Sequence, residues 1–218
     1  MKRAIGTIAY PIGVPMAWDE FGWSFSQLAQ FTQEHACKPG QFVNVDRFFV
    51  NDVVRARNGL VERMRGEWLL QLDADHAFEP DLCLRLLDRM ERTGYDIVSG
   101  LYFDRHPPHG PLLWQRTTSG DYVRVGEWPK VPFEIPGAVG AGCLLVRRQV
   151  FERILSELKE APFDRRRGLD EDVSFFDRCY QLGIKGLCDP RIEHPHLSVR
   201  PIGSMDYRAS EVMLYEPA

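Results

Sequence analysis

A short apolar run, Trp68, Leu69, Leu70 and Leu72, stops at two aspartates one residue apart, Asp73 and Asp75. On a strand, positions i and i+2 point to the same side, so both carboxylates can meet one object beyond the strand's end. Hard oxygen donors suit Mg²⁺ or Mn²⁺, and Mg²⁺ is commonly held by one or two carboxylates together with substrate phosphate oxygens. The chemistry this implies is the binding of a divalent cation that carries a diphosphate. An ordinary strand-to-loop turn uses the same residue type, and the apolar run before the pair is what argues for a strand end. If that strand continues, His76 points to the opposite face and stays outside the cation's shell.

A second carboxylate cluster, Asp170, Glu171 and Asp172, stands before Val173, Phe176 and Cys179, the pattern of a helix start. Acidic side chains are favoured there by exposed N–H groups and by the helix dipole, which accounts for them structurally. One of them could also take a proton from an attacking hydroxyl, work that contributes about 10²–10⁴-fold to a rate. Near the end of the chain, His194 and His196 in EHPHLS offer imidazole ligands, though a histidine is more often an ordinary core or surface residue.

Strands and helices must alternate to position these groups. Residues 3–9 read as a first strand, 24–34 as a helix with Phe25, Leu28 and Phe31 at near-helical spacing, and 41–45 as a second strand. Residues 52–65 form a helix with Val53, Leu60, Val61 and Met64 on one face, which Gly66 can terminate. The double-aspartate strand follows, and Pro80 and Asp81 open another helix. Further strands are predicted over 97–102 and 143–147, with an amphipathic helix over 150–158. This order favours an α/β sandwich with a mainly parallel sheet, in which ligands gather beyond the carboxyl ends of the strands. Residues 103–136 break the pattern with six prolines among Trp114, Tyr122, Trp128 and Phe133, and read as loops with a short hairpin. Those aromatics either stack on a bound sugar or base or cover a face of the sheet. In GAVGAGCLL the glycines permit close backbone approach, but Gly137, Gly140 and Gly142 have neither the spacing nor the strand-then-helix setting of a dinucleotide fingerprint.

Read together, VVRARNGLVERMRGEWLLQLDADHAFEPD, DIVSGLYFDR, PGAVGAGCLLVRR, GLDEDVSFFDRCYQLG and EHPHLS resemble the nucleotide-sugar-dependent glycosyltransferases of the GT-A fold, especially the family 2 type. The resemblance implies a Rossmann-like three-layer sandwich over residues 1–218. Residues up to about 102 would bind the nucleotide sugar, and the remainder would bind the acceptor and carry catalysis. It implies a Mn²⁺ or Mg²⁺ site made by Asp73, Asp75 and His196, with His194 as the alternative ligand. Asp172 would be the general base of an inverting transfer, Glu171 would bind the acceptor or orient the base, and Asp170 would serve as a cap. The loop at Tyr10, Pro11 and onward to residue 15 would hold the base and ribose, with Asp46 near the base. Arg57 and Asn58 would reach the nucleotide or its diphosphate together with Asp73. Arg57 has a plain alternative as a charge on a helix surface.

Composition agrees with one compact domain: 218 residues, 44% hydrophobic, without a low-complexity linker or repeat. A formal charge of −4 gives no general attraction for nucleic acid or anionic membrane. The basic runs Arg147-Arg148 and Arg165-Arg166-Arg167 read as solvated surface or as phosphate contacts. No apolar run is long enough to span a bilayer, and the N-terminal stretch is broken by Gly6, Pro11 and Gly13 before a signal-like core develops. Five cysteines without a Cys-x-x-Cys pair argue for reduced thiols in a cytoplasmic protein. The expected partners are a UDP- or GDP-type sugar donor and an unidentified hydroxyl acceptor. Two other functions compete with this one. A nucleotidyltransferase would need a basic, glycine-rich loop after the first strand, which IAYPIGVPMAW lacks. A binding module without catalysis would have no use for the full carboxylate and histidine set.

Overall fold

A computed structural model describes residues 2–13 and 19–197. The chain runs β1 (Arg3–Ile12), α1 (Asp19–Ala36), β2 (Gln41–Phe49), α2 (Val53–Arg63), β3 (Trp68–Leu72), α3 (Leu82–Thr93) and β4 (Ile97–Leu101). Four short strands follow: β5 (Leu113–Arg116), β6 (Tyr122–Arg124), β7 (Phe133–Glu134) and β8 (Gly137–Val139). The described part closes with β9 (Cys143–Arg147), α4 (Arg148–Arg153) continued by a π-helical stretch (Ile154–Leu158), α5 (Glu171–Gln181) and β10 (Gly186–Glu193).

Seven strands make one sheet in the order β2-β1-β3-β9-β4-β10-β7. β1 is parallel to β2 and β3, and β10 is parallel to β4. β9 lies antiparallel between β3 and β4, and β7 is antiparallel to β10 at the edge. Five of the seven strands therefore share one direction. Period-two alternation of apolar side chains divides the core into two layers. Ala9, Leu69, Leu144 and Val146 face Leu60, Val61, Phe151 and Phe175 from the α2, α4 and α5 side. Ile8, Leu70, Leu72 and Leu145 face Phe21, Leu28, Leu86 and Met90 of α1 and α3. Helices on both faces of a mainly parallel sheet make the three-layer α/β architecture that the resemblance implies.

Local signals account for most element ends. Asp52 caps α2, its Oδ1 accepting the Arg55 N–H at 3.0 Å. α3 stops at Gly94, whose φ of 74° suits a glycine in the left-handed region. α1 begins earlier than the apolar spacing predicts, with Asp19 and Glu20 in its first turn and Phe21 buried, because Gly22 and the exposed Trp23 interrupt the pattern. β2 runs on to Phe49 rather than stopping at Val45, pairing as far as Ile12 with Phe49. Asp46 and Arg47 disguise this edge strand as loop. Within residues 103–136, β5 and β6 form the expected hairpin, and β8 joins them in a second, three-stranded sheet.

β3 ends at Leu72, so Asp73 and Asp75 lie in the turn that follows and not on the strand. The premise that put His76 on the opposite face fails with it. β10 extends through Asp189 and Pro190 to Glu193, and its register on β4 slips between Asp189 and Glu193. Such a bulge re-aims the chain beyond it, and here the chain beyond it carries His194 and His196.

Candidate active site

The carboxyl ends of β1, β2, β3 and β4 converge on one cavity of about 550 Å³. Pro11, Ile12 and Gly13 form one wall, Asn51 to Val53 with Ala56 and Arg57 a second, and Asp73 to Asp75, Arg105 and Glu171 the rest. Ligands collect at this edge in open α/β sheets because helix N-termini and loops meet there while the strand side chains fill the core.

Arg57 is the hub of the cluster. It is 3% exposed and its guanidinium donates to Asp73 Oδ1 at 2.8 Å, Glu171 Oε1 at 3.3 Å, Gln71 Oε1 at 3.3 Å and the Ala141 carbonyl at 3.3 Å. Burial alone would lower its pKa, but the charges of Asp73 and Glu171 outweigh this and raise it. The helix-surface alternative for Arg57 is excluded by this burial. For Asp73 the balance of causes is reversed: burial prevails and raises its pKa, and the Arg57 charge offsets this only in part. Its backbone N–H donates to the Gly142 carbonyl at 3.0 Å. A Cβ at Gly142 would lie 2.8 Å from both Asp73 Oδ2 and Tyr102 Oη, so this glycine serves the close approach of protein groups around Asp73.

Asp75 and His196 meet as the resemblance implied. Residues 195–197 pair with 75–77 through Ala77 N–H to the Pro195 carbonyl at 3.2 Å and Leu197 N–H to the Asp75 carbonyl at 2.6 Å. This brings His196 Nε2 to 3.2 Å from Asp75 Oδ2, while Nδ1 lies 3.0 Å from the Phe103 carbonyl. Burial would lower His196, but the hydrogen bond and charge of Asp75 prevail and raise it. Burial would likewise raise Asp75, yet His196 and Arg105 hold it below the usual carboxylate range. Arg105 donates to the same Asp75 oxygen, Oδ2.

Because β3 ends at Leu72, His76 lies beside this pair and not on the opposite face. It is fully buried, its Nε2 is 3.7 Å from Asp75 Oδ1, and neither ring nitrogen has a hydrogen-bond partner among the described residues. Ligand atoms of Asp75, His76 and His196 lie within 4.8 Å of one another. Asp73 stands outside that group, committed to Arg57. His194 is buried against His76, with ring centroids 4.9 Å apart, and burial pushes its pKa down to about 3. One carboxylate and two imidazoles, one of them with both ring nitrogens unpartnered among the described residues, form a donor set that fits a divalent metal.

Glu171 and Asp172 open α5 with Asp170 at the N-cap. Asp170 is exposed and its side chain caps nothing; its carbonyl instead accepts the Ser174 N–H at 2.8 Å. Asp172 is half-buried. Burial and the neighbouring Glu171 charge push its carboxyl up to about 7. Its charge is felt by Arg57 and by Tyr102, whose hydroxyl burial pushes well above its ordinary value.

Three expected donor-site residues are not brought to the cavity. The Tyr10 ring packs edge-on against Phe21 and Phe25, with centroids 4.9 Å apart in each case, inside the apolar layer. Asp46 is engaged by Arg63 at 2.7 and 3.0 Å. Asn58 accepts the Phe163 N–H at 3.0 Å and donates to Asp164 at 2.9 Å, tying α2 to the loop before α5. Residues 14 and 15 of the expected base-binding loop lie outside the described residues. Gln71, Tyr102 and Arg105 carry no expectation from the sequence, and His76 is expected there only outside the cation's shell. For Arg105 the available signal was a charged residue just past the carboxyl end of a parallel strand, the rule that singled out Asp73.

Residues 28–155 match the sequence model of the family described as Glycosyl transferase family 2. The match spans Arg57, the double aspartate and Arg105, while Glu171, Asp172 and His196 lie beyond it. No curated protein matches the chain.

Proposed function

The chain belongs to glycosyl transferase family 2, and from that premise we propose a metal-dependent, inverting transfer of a sugar from a UDP- or GDP-type donor to an acceptor hydroxyl. Family membership itself implies a glycosyltransferase (EC 2.4) with a nucleotide-sugar donor and an acceptor. The observation that carries the finer reading is the Arg57 cluster, which ties Asp73 and Glu171, from the two halves of the chain, into the wall of one cavity.

In this reading Asp75, His76 and His196 hold the cation, and the nucleotide lies across Pro11 to Gly13 and the start of α2. A bound cation supplies Lewis-acid neutralisation of charge on the leaving diphosphate. Asp172 takes the proton of the acceptor hydroxyl as that oxygen forms its bond to the anomeric carbon. The bond from that carbon to the diphosphate breaks on the opposite face, its electron pair leaving with the phosphate oxygen, and the centre inverts. A carboxyl held near pH 7 is a stronger base than an ordinary aspartate, and about half of it is ionised at neutral pH. Glu171, fixed by Arg57, keeps Asp172 at the helix start and contributes the negative charge that raises its pKa. Residues up to about 102 form the donor half and those beyond it the acceptor half, although β9 of the second half threads the sheet between β3 and β4. No helix among the described residues is long and apolar enough to cross a membrane, and the free state of all five cysteines suits a cytoplasmic site of action.

The test is release of free nucleoside diphosphate from UDP-, GDP- and TDP-sugars with Mn²⁺ for the wild type, Asp75→Ala and Asp172→Asn. Slow donor hydrolysis that disappears in Asp75→Ala is expected. Absence of hydrolysis for every donor, together with no donor-dependent thermal shift, would refute the reading.

A further inference from the structure

The cavity carries more negative than positive charge. Asp52, Asp73, Asp75 and Glu171 line it against only two guanidiniums, those of Arg57 and Arg105, among the described residues. A nucleoside diphosphate brings further negative charge into this space. Arg57 is not available to meet it: it is buried, and leaving its partners would strand the buried Glu171 and the largely buried Asp73. Arg105 differs. It is half-exposed, and among the described residues its ion pair is with Asp75, the carboxylate through which a cation would have to bind.

Arg105 projects from a well-braced loop. Phe103 bridges to Pro111, the Asp104 N–H donates to the Gly110 carbonyl at 2.9 Å, and the Leu112 N–H donates to the Tyr102 carbonyl at 3.0 Å. Asp104 is further held by Arg124 at 3.3 Å. The loop therefore keeps the base of Arg105 at the cavity rim while its long side chain is free to change partner.

We propose that Arg105 is a donor-binding residue that neutralises Asp75 in the empty cavity and transfers its guanidinium to the donor's diphosphate when a divalent cation takes over Asp75. This rests on the metal and nucleotide-sugar reading above and adds a competition that reading does not require. A cation and Arg105 would be rivals for the Asp75 carboxylate but allies on the diphosphate. The planar guanidinium suits that second partner, because it pairs with phosphate oxygens in a bidentate fork.

The two relationships give opposite signs in one variant, which a merely structural arginine would not. Mn²⁺ binding to the protein alone, followed by the Mn²⁺ electron spin resonance signal, should tighten several-fold in Arg105→Ala. UDP and GDP binding at saturating Mn²⁺, followed by calorimetry, should weaken roughly 10-fold or more, the worth of a charge-assisted hydrogen bond. Arg105→Lys should recover part of the diphosphate affinity, and unchanged circular dichroism would exclude misfolding as the cause. If both affinities fall together in Arg105→Ala, or if diphosphate affinity is unchanged, the inference is overturned while the donor reading stands. If the wild type binds neither diphosphate with Mn²⁺ present, both are overturned.

Discussion

Asp172 is costly to the fold where it is useful to the reaction. Its carboxyl is pushed up to about 7 by burial and by Glu171, so the folded chain holds that proton more tightly than the unfolded chain, where an aspartate titrates near 3.9. The sign follows from linkage: the group favours folding most below about pH 4, and this contribution is lost as pH rises through about 7. Asp172→Asn should therefore gain stability relative to wild type between pH 5 and pH 8, by roughly 1–3 kcal/mol at about 1.4 kcal/mol per unit, as measured by denaturant unfolding at the two pH values. The same substitution should lower turnover about 10²–10⁴-fold. Wild-type turnover should rise with pH to a plateau with a midpoint near 7. Arg57 presents the opposite case. Arg57→Met leaves the buried Glu171 and the partly buried Asp73 without their counter-charge, and a loss of about 3–5 kcal/mol is expected in the same unfolding assay.

At the scale of elements, the site depends on how closely strands and turns approach one another. A Cβ at Gly140 would fall 2.2 Å from Tyr102 Oη, a position the ring can leave only by abandoning the Gly142 N–H that donates to it at 2.9 Å. Gly140→Ala should therefore destabilise by roughly 1–3 kcal/mol and weaken Mn²⁺ binding together with stability, both visible in thermal melts with and without the metal. The basic runs belong to this scale too. Arg148 donates to the Gly66 and Met64 carbonyls at 2.7 and 3.1 Å, and Arg166 grips Glu160 at 2.6 and 2.7 Å and reaches Asp177 at 3.2 Å. These arginines fasten helices and loops rather than presenting charge to a phosphate. Trp114, Tyr122, Trp128 and Phe133 pack against the core cluster, which favours the covering alternative for the aromatics between β4 and β8.

For the whole molecule, a shared metal and diphosphate site makes the two ligands thermodynamically dependent. A ligand at 100 times its dissociation constant stabilises the folded state by about 2.7 kcal/mol. Mn²⁺ and nucleoside diphosphate together should raise the melting temperature by more than the sum of their separate effects. Additive shifts in a thermal-shift assay would separate the sites.

Sequence alone determined the frame. Alternating apolar runs specify strands and helices, period-two patterning puts a helical layer on each side of the sheet, and an acidic pair after a strand lies at the ligand-binding edge whichever way the turn runs. It also singled out Asp75, His196, Glu171 and Asp172, whose residue types are informative beside their neighbours in the chain. Tertiary structure decided which of these groups touch. Arg57 meets Glu171 across 114 residues, and His196 reaches Asp75 across 121 because β10 bulges and residues 195–197 pair back onto 75–77. The same long-range packing occupied Tyr10, Asp46 and Asn58 elsewhere and brought in His76 and Arg105. A side chain's partners follow from the register between distant strands and from where a strand stops, and neither is written in its local pattern.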